Sequence, residues 1–351
     1  MCIRDRGTDA PIDSSAVATS GTNSITATNA SFAAGQIILV HQTRGTNAGL
    51  WEENQIASYV AGTITTTQVL VNSYATSGAD AAQVLVIPQY SSCTVSSTLT
   101  AKAWNGTVGG ILALRARNTL TISTTTTASG KGYRGGVGVN NSGTTGQAWC
   151  GEGTVGASAQ QYTANGNGGG GGKGDDAQGG GGGHFASGGT GNGGTVAGIG
   201  GGTAGSADLV TCVFGGGGGG SSDFQNEVAF DGGIGGGWIY LAAPIIIETS
   251  GAVVSNGSDG GGGGGGGGTA AGSGAGGSIL RRGKTITLGT SSTATGGAQI
   301  ANTSGRYGGA GGTGRERCEA CTTPSGTTNP TFSDGTSTTF TYCIAVFASM
   351  L

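Results

Sequence analysis

Gly236-Gly237-Trp238-Ile239-Tyr240-Leu241-Ala242-Ala243 is followed at once by Ile245-Ile246-Ile247 and closes on Ser255-Asn256-Gly257. Two short apolar runs bounded by glycine read as strand, tight corner, strand, corner. The same order recurs on either side. Gly109-Gly110-Ile111-Leu112-Ala113-Leu114-Arg115-Ala116 leads to Thr119-Leu120-Thr121-Ile122 and then Ala128-Ser129-Gly130. Gly276-Gly277-Ser278-Ile279-Leu280-Arg281-Arg282 leads to Thr285-Ile286-Thr287-Leu288 and then Gly296-Gly297. From Gly110 to Gly130, Gly237 to Gly257 and Gly277 to Gly297 the distance is 20 residues in each copy. Residues 315–320, after Gly311-Gly312, read as the start of a degenerate fourth copy. A unit this small cannot bury its apolar face alone but can do so against its neighbours, which predicts a β-solenoid-like or sandwich stack of short strands.

Between the copies lie glycine-rich inserts, at about 130–236, 257–277 and 297–314. They allow two readings. One is flexible linker, because ordering glycine costs more backbone entropy than ordering any other residue. The other is a bundle of extended threefold helices of polyglycine II type, whose backbone groups bond sideways to one another. Asn167, Lys173, Asp175, Ser221 and Asp259 then fall at turns or on the outer rim. The inserts leave and re-enter the copies at matching positions, and that favours order.

Composition sets the frame. The chain has 351 residues, 80 of them glycine, and only 9% are charged. At about 150 residues per domain that length suggests two or three domains. A net charge of −3 leaves no basic footprint for nucleic acid. Disorder of the usual kind needs high charge and low hydrophobicity, whereas mean hydropathy here is −0.02. Thr, Ser, Ala, Val and Ile form a strand-and-turn alphabet, no helical period is visible, and the expected fold class is all-β. No apolar run approaches the roughly 20 residues of a transmembrane helix.

Residues 8–98 are expected to form a small antiparallel β-barrel or sandwich. Their strands are at 12–17, 36–40, 55–60, 63–71 and 83–87, with Trp51, Tyr59, Tyr74 and Tyr90 as bulky core. Residues 99–330 form the glycine-rich repeat domain and 331–351 a C-terminal strand region. Residues 1–7, beginning Met1-Cys2-Ile3-Arg4-Asp5-Arg6, resemble a translation artefact at the ends of environmental assemblies. The true N-terminus, with any export signal, is then expected elsewhere.

Six cysteines, Cys93, Cys150, Cys212, Cys318, Cys321 and Cys343, are candidates for disulfides, which would imply an oxidising compartment. Free buried thiols are the second reading. A metal site is the third, since the C-x-x-C at Cys318 and Cys321 lacks a second pair and the chain has only His41 and His184. Catalytic, metal and cofactor residues are not expected. His41 ends an apolar strand and reads as a packed or hydrogen-bonded histidine, and His184 sits in glycine with no evident partner. Glu52 and Glu53 are adjacent, so on a strand they face opposite ways. Gly171 to Asp176 fits the start of a calcium-binding nonapeptide, but Gln178 stands where a bulky apolar residue belongs.

Asn29, Asn105, Asn140, Asn256 and Asn302 begin Asn-x-Ser/Thr triplets and are candidate glycan acceptors, although such triplets also arise by chance in so Ser/Thr-rich a chain. Near the C-terminus Phe340, Tyr342, Ile344 and Val346 alternate with Thr341, Cys343 and Ala345. That alternation predicts a strand. It either closes this chain's own sheet or is donated to the next subunit of a head-to-tail filament. Residues 12–17 are a second candidate donor.

Val86-Ile87-Pro88-Gln89-Tyr90, Trp104-Asn105-Gly106-Thr107-Val108-Gly109-Gly110, Gly130-Lys131-Gly132-Tyr133-Arg134-Gly135-Gly136 and Gly326-Thr327-Thr328-Asn329-Pro330 resemble a loosely defined family of glycine-rich extracellular proteins of environmental bacteria. The likeness covers most of residues 30–330 and implies a cell-surface or extracellular role without a catalytic residue. The chain departs from it at Gly314-Arg315-Glu316-Arg317-Cys318 by adding the C-x-x-C. A weaker resemblance is to phage tail-tip adhesins that pack glycine helices, against which the leading β domain argues. The expected function is an extracellular structural subunit of a surface fibre, self-associating as a homopolymer. The alternative is an adhesin or glycan-binding module.

Overall fold

Residues 37–44 carry Ile-Ile-Leu-Val followed by His-Gln-Thr-Arg, and all eight are buried. A strand buried on both faces needs covering on both, and this one, β4, is the hinge of the architecture. The computed structural model describes residues 11–335 apart from 142–145, 225–227, 263–268, 290 and 303–304. Among them there is no helix. The N-terminal strands are β1 (Asp13–Ser15), β2 (Val17–Ala18), β3 (Ser24–Thr26), β4 (Ile37–Arg44), β5 (Trp51–Val60), β6 (Thr63–Thr66) and β7 (Ala81–Val86). They form one antiparallel sheet of order β1-β7-β4-β5-β6-β3-β2.

The expectation of a barrel is corrected here. β1 and β2 are consecutive in sequence but sit at opposite ends of that order with no ladder between them. Closing a barrel needs a continuous staggered ladder, and edge strands of two or three residues do not supply one. Ile25, Ile38, Val40, Ile56, Ile64, Tyr74 and Val84 fill one side of the open sheet.

From residue 89 onward the strand pairing becomes parallel, ahead of the domain boundary expected at residue 99. Successive passes of the chain contribute β8 (Gln89–Tyr90), β9 (Cys93–Val95) and β10 (Leu99–Thr100), then β11 (Ile111–Ala116), β12 (Thr119–Ile122) and β13 (Thr126–Thr127). A short pair, β14 (Val139–Asn141) with β15 (Ser222–Phe224), lies within the long insert. Next come β16 (Trp238–Ala242), β17 (Ile245–Glu248) and β18 (Val253–Val254), then β19 (Ser278–Arg282), β20 (Thr285–Thr287) and β21 (Ser292–Thr293). The last are β22 (Arg315–Glu319), β23 (Thr328–Asn329) and β24 (Ser333–Asp334). They line up as three parallel sheets, β24-β22-β19-β16-β11-β8, β20-β17-β12-β9 and β10-β13-β18-β21-β23. The register matches the sequence repeat. Ile111, Trp238 and Ser278, which follow Gly110, Gly237 and Gly277, are paired.

Side chains on one side of β11, β16 and β19 point into the stack. Leu112, Ile239 and Ile279 form one row, and Leu114 and Leu241 lie in the next with Arg281. Side chains on the other side, among them Ile111, Trp238, Tyr240 and Leu280, meet Ile37, Leu39 and Leu85 of the antiparallel sheet in a second core. The two halves are therefore fused through β4, with His41 and Trp51 against Trp238 at ring separations of 5.4 and 5.1 Å.

Toward the C-terminal end the inner rows turn polar. Arg281 is fully buried, 2.6 Å from Glu248 and 2.9 Å from Glu316, and its Nη2 donates to Ser292 Oγ at 2.9 Å. Burial pushes the Glu316 carboxyl up to about 7 despite the opposing pull of Arg281. A carboxyl raised on folding stabilises the fold fully below its unfolded value near 4.5, and that contribution is lost as pH rises through 7. Wild-type stability should therefore fall between pH 4.5 and 7, by something on the order of 2–3 kcal/mol. Glu316→Gln should flatten that fall, as read from urea midpoints across the range.

Candidate functional site

The inserts are where this chain differs most from an ordinary stack of strands, and residues 215–222 are their centre. The amide donors there repeat every three residues. Gly215, Gly218 and Ser221 donate to Gly236, Gly233 and Phe230, Gly216, Gly219 and Ser222 to Gly183, Gly180 and Ala177, and Gly217 and Gly220 to Glu152 and Trp149. The carbonyls follow the same rule. Those of Gly216 and Gly219 accept from Ala275 and Gly272, those of Gly217 and Gly220 from Gly169 and Gly172, and those of Gly218 and Ser221 from Gly136 and Val139. One segment thus bonds to six neighbours, 230–236, 177–183, 149–152, 272–275, 169–172 and 136–139. A flat β-strand reaches two.

The neighbours bond to one another, and to the further segment 309–312, at the same interval. Ala148 and Gly151 donate to Gly172 and Gly169, Gly232 and Gly235 to Gly136 and Tyr133, and Ser273 and Gly276 to Gly309 and Gly312. The backbones approach so closely that a methyl group has no place. A Cβ on Gly216, Gly217, Gly218 or Gly219 would land on the carbonyl oxygen of Asn167, Arg134, Gly272 or Gly170. Each amide bond adds about 1 kcal/mol net, which offsets an ordering cost of similar size per residue.

Side chains fasten this slab to the antiparallel sheet and to the parallel stack. Phe214 opens the central segment and packs with His41, Trp104 and Tyr133 at ring separations of 5.4–5.8 Å. Glu152 is fully buried and joins three parts of the chain. It pairs with Arg44 of β4, with Arg134 at 3.0 Å, and accepts from Trp104 Nε1 at 3.0 Å. Tyr133 donates to the Thr43 carbonyl. None of these residues was singled out from the sequence as an anchor. The available signal was that Glu152 is an acid between two glycines and that Phe214 is a lone aromatic ring before the run Gly215 to Gly220.

Both histidines are buried and hydrogen-bonded. His41 is fully buried, and burial lowers its pKa to about 4. Its Nε2 lies 2.8 Å from the Cys212 carbonyl, which only accepts, so Nε2 carries the proton and Nδ1 accepts from Thr43 Oγ1 at 2.9 Å. His184 is also buried and held neutral, at about 3. It does have partners, with Nε2 lying 3.1 Å from both the Val213 carbonyl and Ser278 Oγ. Ser278 donates to the Val213 carbonyl at 2.8 Å, so its hydroxyl proton is committed to structure.

The cysteine expectation is corrected in part. Cys150, Cys212 and Cys318 are free thiols, all buried, so Cys318 of the C-x-x-C is not half of a disulfide. Burial pushes all three upward, Cys318 to about 12. Cys93 and Cys321 do not belong to that free set, and Cys343 lies outside the described residues. Phe340, Tyr342, Ile344 and Val346 lie outside them too. Of the candidate glycan acceptors, Asn105 and Asn140 are exposed, Asn29 and Asn256 half-buried and Asn302 buried. Each uses its side-chain oxygen to accept a nearby amide, as Asn105 does from Thr107 and Val108. Asp175, Asp176 and Asp223 bring carboxylates within 4.8 Å of one another, and Arg306 pairs with Asp176.

Among the described residues no helix is long and apolar enough to cross a membrane. Comparison with protein-family models, with curated proteins and with solved structures gives no match for this chain.

Two outcomes follow from this geometry. Gly218→Ala should destabilise by about 1–3 kcal/mol through forced separation of backbones. Gly156→Ala, whose added methyl would meet nothing nearer than 3.7 Å, should stay within about 0.5 kcal/mol of wild type. Urea titration of the pair measures the difference. Without reductant, iodoacetamide should label Cys150, Cys212 and Cys318 only after unfolding, as peptide mass mapping would show.

Proposed function

We propose that this chain is a non-catalytic, extracellular structural protein, the subunit of a surface fibre. In this reading the three parallel sheets are a short β-solenoid. The inserts form a polyglycine II-type lattice that stiffens it. The six-neighbour bonding of residues 215–222 carries the reading. Threefold extended helices leave every backbone group pointing outward, so a bundle of them cross-links in all lateral directions. Such a body resists deformation without a large apolar core, which suits a part that bears load. Catalysis has little support. Both ring nitrogens of His41 are hydrogen-bonded, His184 is buried and held neutral, and Ser278 has its proton engaged.

Placement outside the cell rests on the low-charge, glycine-rich composition and on the resemblance noted from the sequence. The three free thiols remove one argument for an oxidising compartment. The adhesin reading draws on a different observation. Trp149, Tyr162, Phe185 and Ile199, in and around the glycine runs, are exposed, as a rim for glycan or receptor contact would be.

Amide exchange by mass spectrometry tests the lattice. Segments 168–172, 179–183, 215–220 and 272–277 should exchange orders of magnitude more slowly than an unstructured chain. Random-coil rates there would remove the basis of the structural role. Electron microscopy then separates the two functions, since regular filaments support the fibre and dispersed particles that bind glycan arrays support the adhesin.

A further inference from the structure

We propose that the crevice beside residues 111–114 is the acceptor for residues 340–346 of a second copy of this chain. The inference rests on the fibre reading and names the contact through which the fibre would grow.

β11 has one incomplete edge. Its first five residues pair with β16 on one side, but on the other side β8 reaches only Arg115 and Ala116. Arg115 donates its amide to Pro88 on that open side, 3.1 Å away. Backbone groups alternate along a strand, so those of Ile111 and Ala113 point the same way. Among the described residues no strand continues β8 along them.

The space they face is mostly apolar, with Ser96, Ser97, Thr100 and Lys102 also lining it, and it has room for a side chain. It is a crevice of about 170 Å³ lined by Ile12, Leu85, Tyr90, Val95 and Leu99 as well as by β11 itself. An apolar cavity of about 150 Å³ holds a benzene-sized group, so one aromatic ring fits. An open ladder edge beside an apolar pocket is what strand addition requires. The main chain supplies hydrogen bonds and the pocket takes alternate side chains.

The sequence 340–346 has the matching pattern, with Phe340, Tyr342, Ile344 and Val346 on one face. The chain leaves the described structure just after β24, the outermost strand at the other edge of the same sheet. Four strand spacings, about 19 Å at 4.8 Å each, separate β24 from β11. From Asp334 to Phe340 the chain spans at most about 21 Å when fully extended. The straight path is filled by β22, β19 and β16, and both faces of β16 and β19 are packed. A detour exceeds the reach of Phe340 within its own chain, whereas a second copy needs none. A strand given at one edge and received at the opposite edge makes a heterologous contact that does not close, and so a filament.

The test uses full-length chains and two variants. Ala113→Pro removes an amide donor that faces away from β16, a position where an edge strand tolerates proline. Phe340→Asp combined with Tyr342→Asp spoils the donor. Sedimentation velocity over a concentration series should show wild type lengthening and each variant holding at 33.6 kDa. Mixed one to one, the variants should form dimers and nothing longer, since one intact donor then meets one intact acceptor. A synthetic peptide of residues 337–348 should shorten wild-type filaments, which keeps the test alive if Ala113→Pro fails to fold by circular dichroism. Filaments from Ala113→Pro equal to wild type, or no effect of the peptide, would overturn this acceptor while leaving the fibre reading in place. A wild type that stays monomeric at every concentration would end both.

Discussion

The structure depends on backbone touching backbone. In residues 215–222 every amide and nearly every carbonyl finds a partner on one of six neighbouring segments, and that density is possible only because no side chain intervenes. Glycine pays the largest entropy of ordering. It also permits the closest approach, and the lateral hydrogen bonds are what tips the sum toward order. The lattice is thus cooperative in a plain sense. A methyl at Gly218 would displace Gly272, and Gly272 donates in turn to Gly219.

A lattice of this kind has no intrinsic edge, so something must fix its position and extent. The parallel sheets do that by supplying fixed points of departure and return. The long insert leaves after β13 and returns at β16, and two shorter ones lie between β18 and β19 and between β21 and β22. Phe214 and Glu152 then fix the centre. Phe214 enters the aromatic cluster around Trp238, and Glu152 ties the slab to Arg44 of the antiparallel sheet. Buried charge is a costly fastener unless fully paired, and the Glu152 oxygens have Arg44, Arg134 and Trp104 as partners.

Much of this could be read in the sequence because period and spacing are local properties. The pairs Ile111 with Trp238 and Trp238 with Ser278 lie where the 20-residue repeat puts them. Other features were not legible. β8 to β10 carry no glycine frame, so the first pass of the stack escaped the repeat, and its third sheet is built from pairs of residues too short to show a period. The barrel failed for a related reason. Strand signals give the number of strands but say nothing of whether the first and last will pair. Cys150, Cys212 and Cys318 suggested disulfides by number alone, and number carries no distance.

The amino-acid sequence alone settled that the chain would be all-β, low in charge and punctuated by glycine at repeating positions. Those properties follow from residue chemistry and from spacing along the chain. Only tertiary structure decided what the glycine runs do, because a run of glycine is equally suited to a free coil and to a lattice. The choice falls to contacts between segments far apart in sequence, such as Gly216 with Gly183 and Gly219 with Gly272. Such contacts leave no mark on the local pattern, since glycine has no side chain in which to record them.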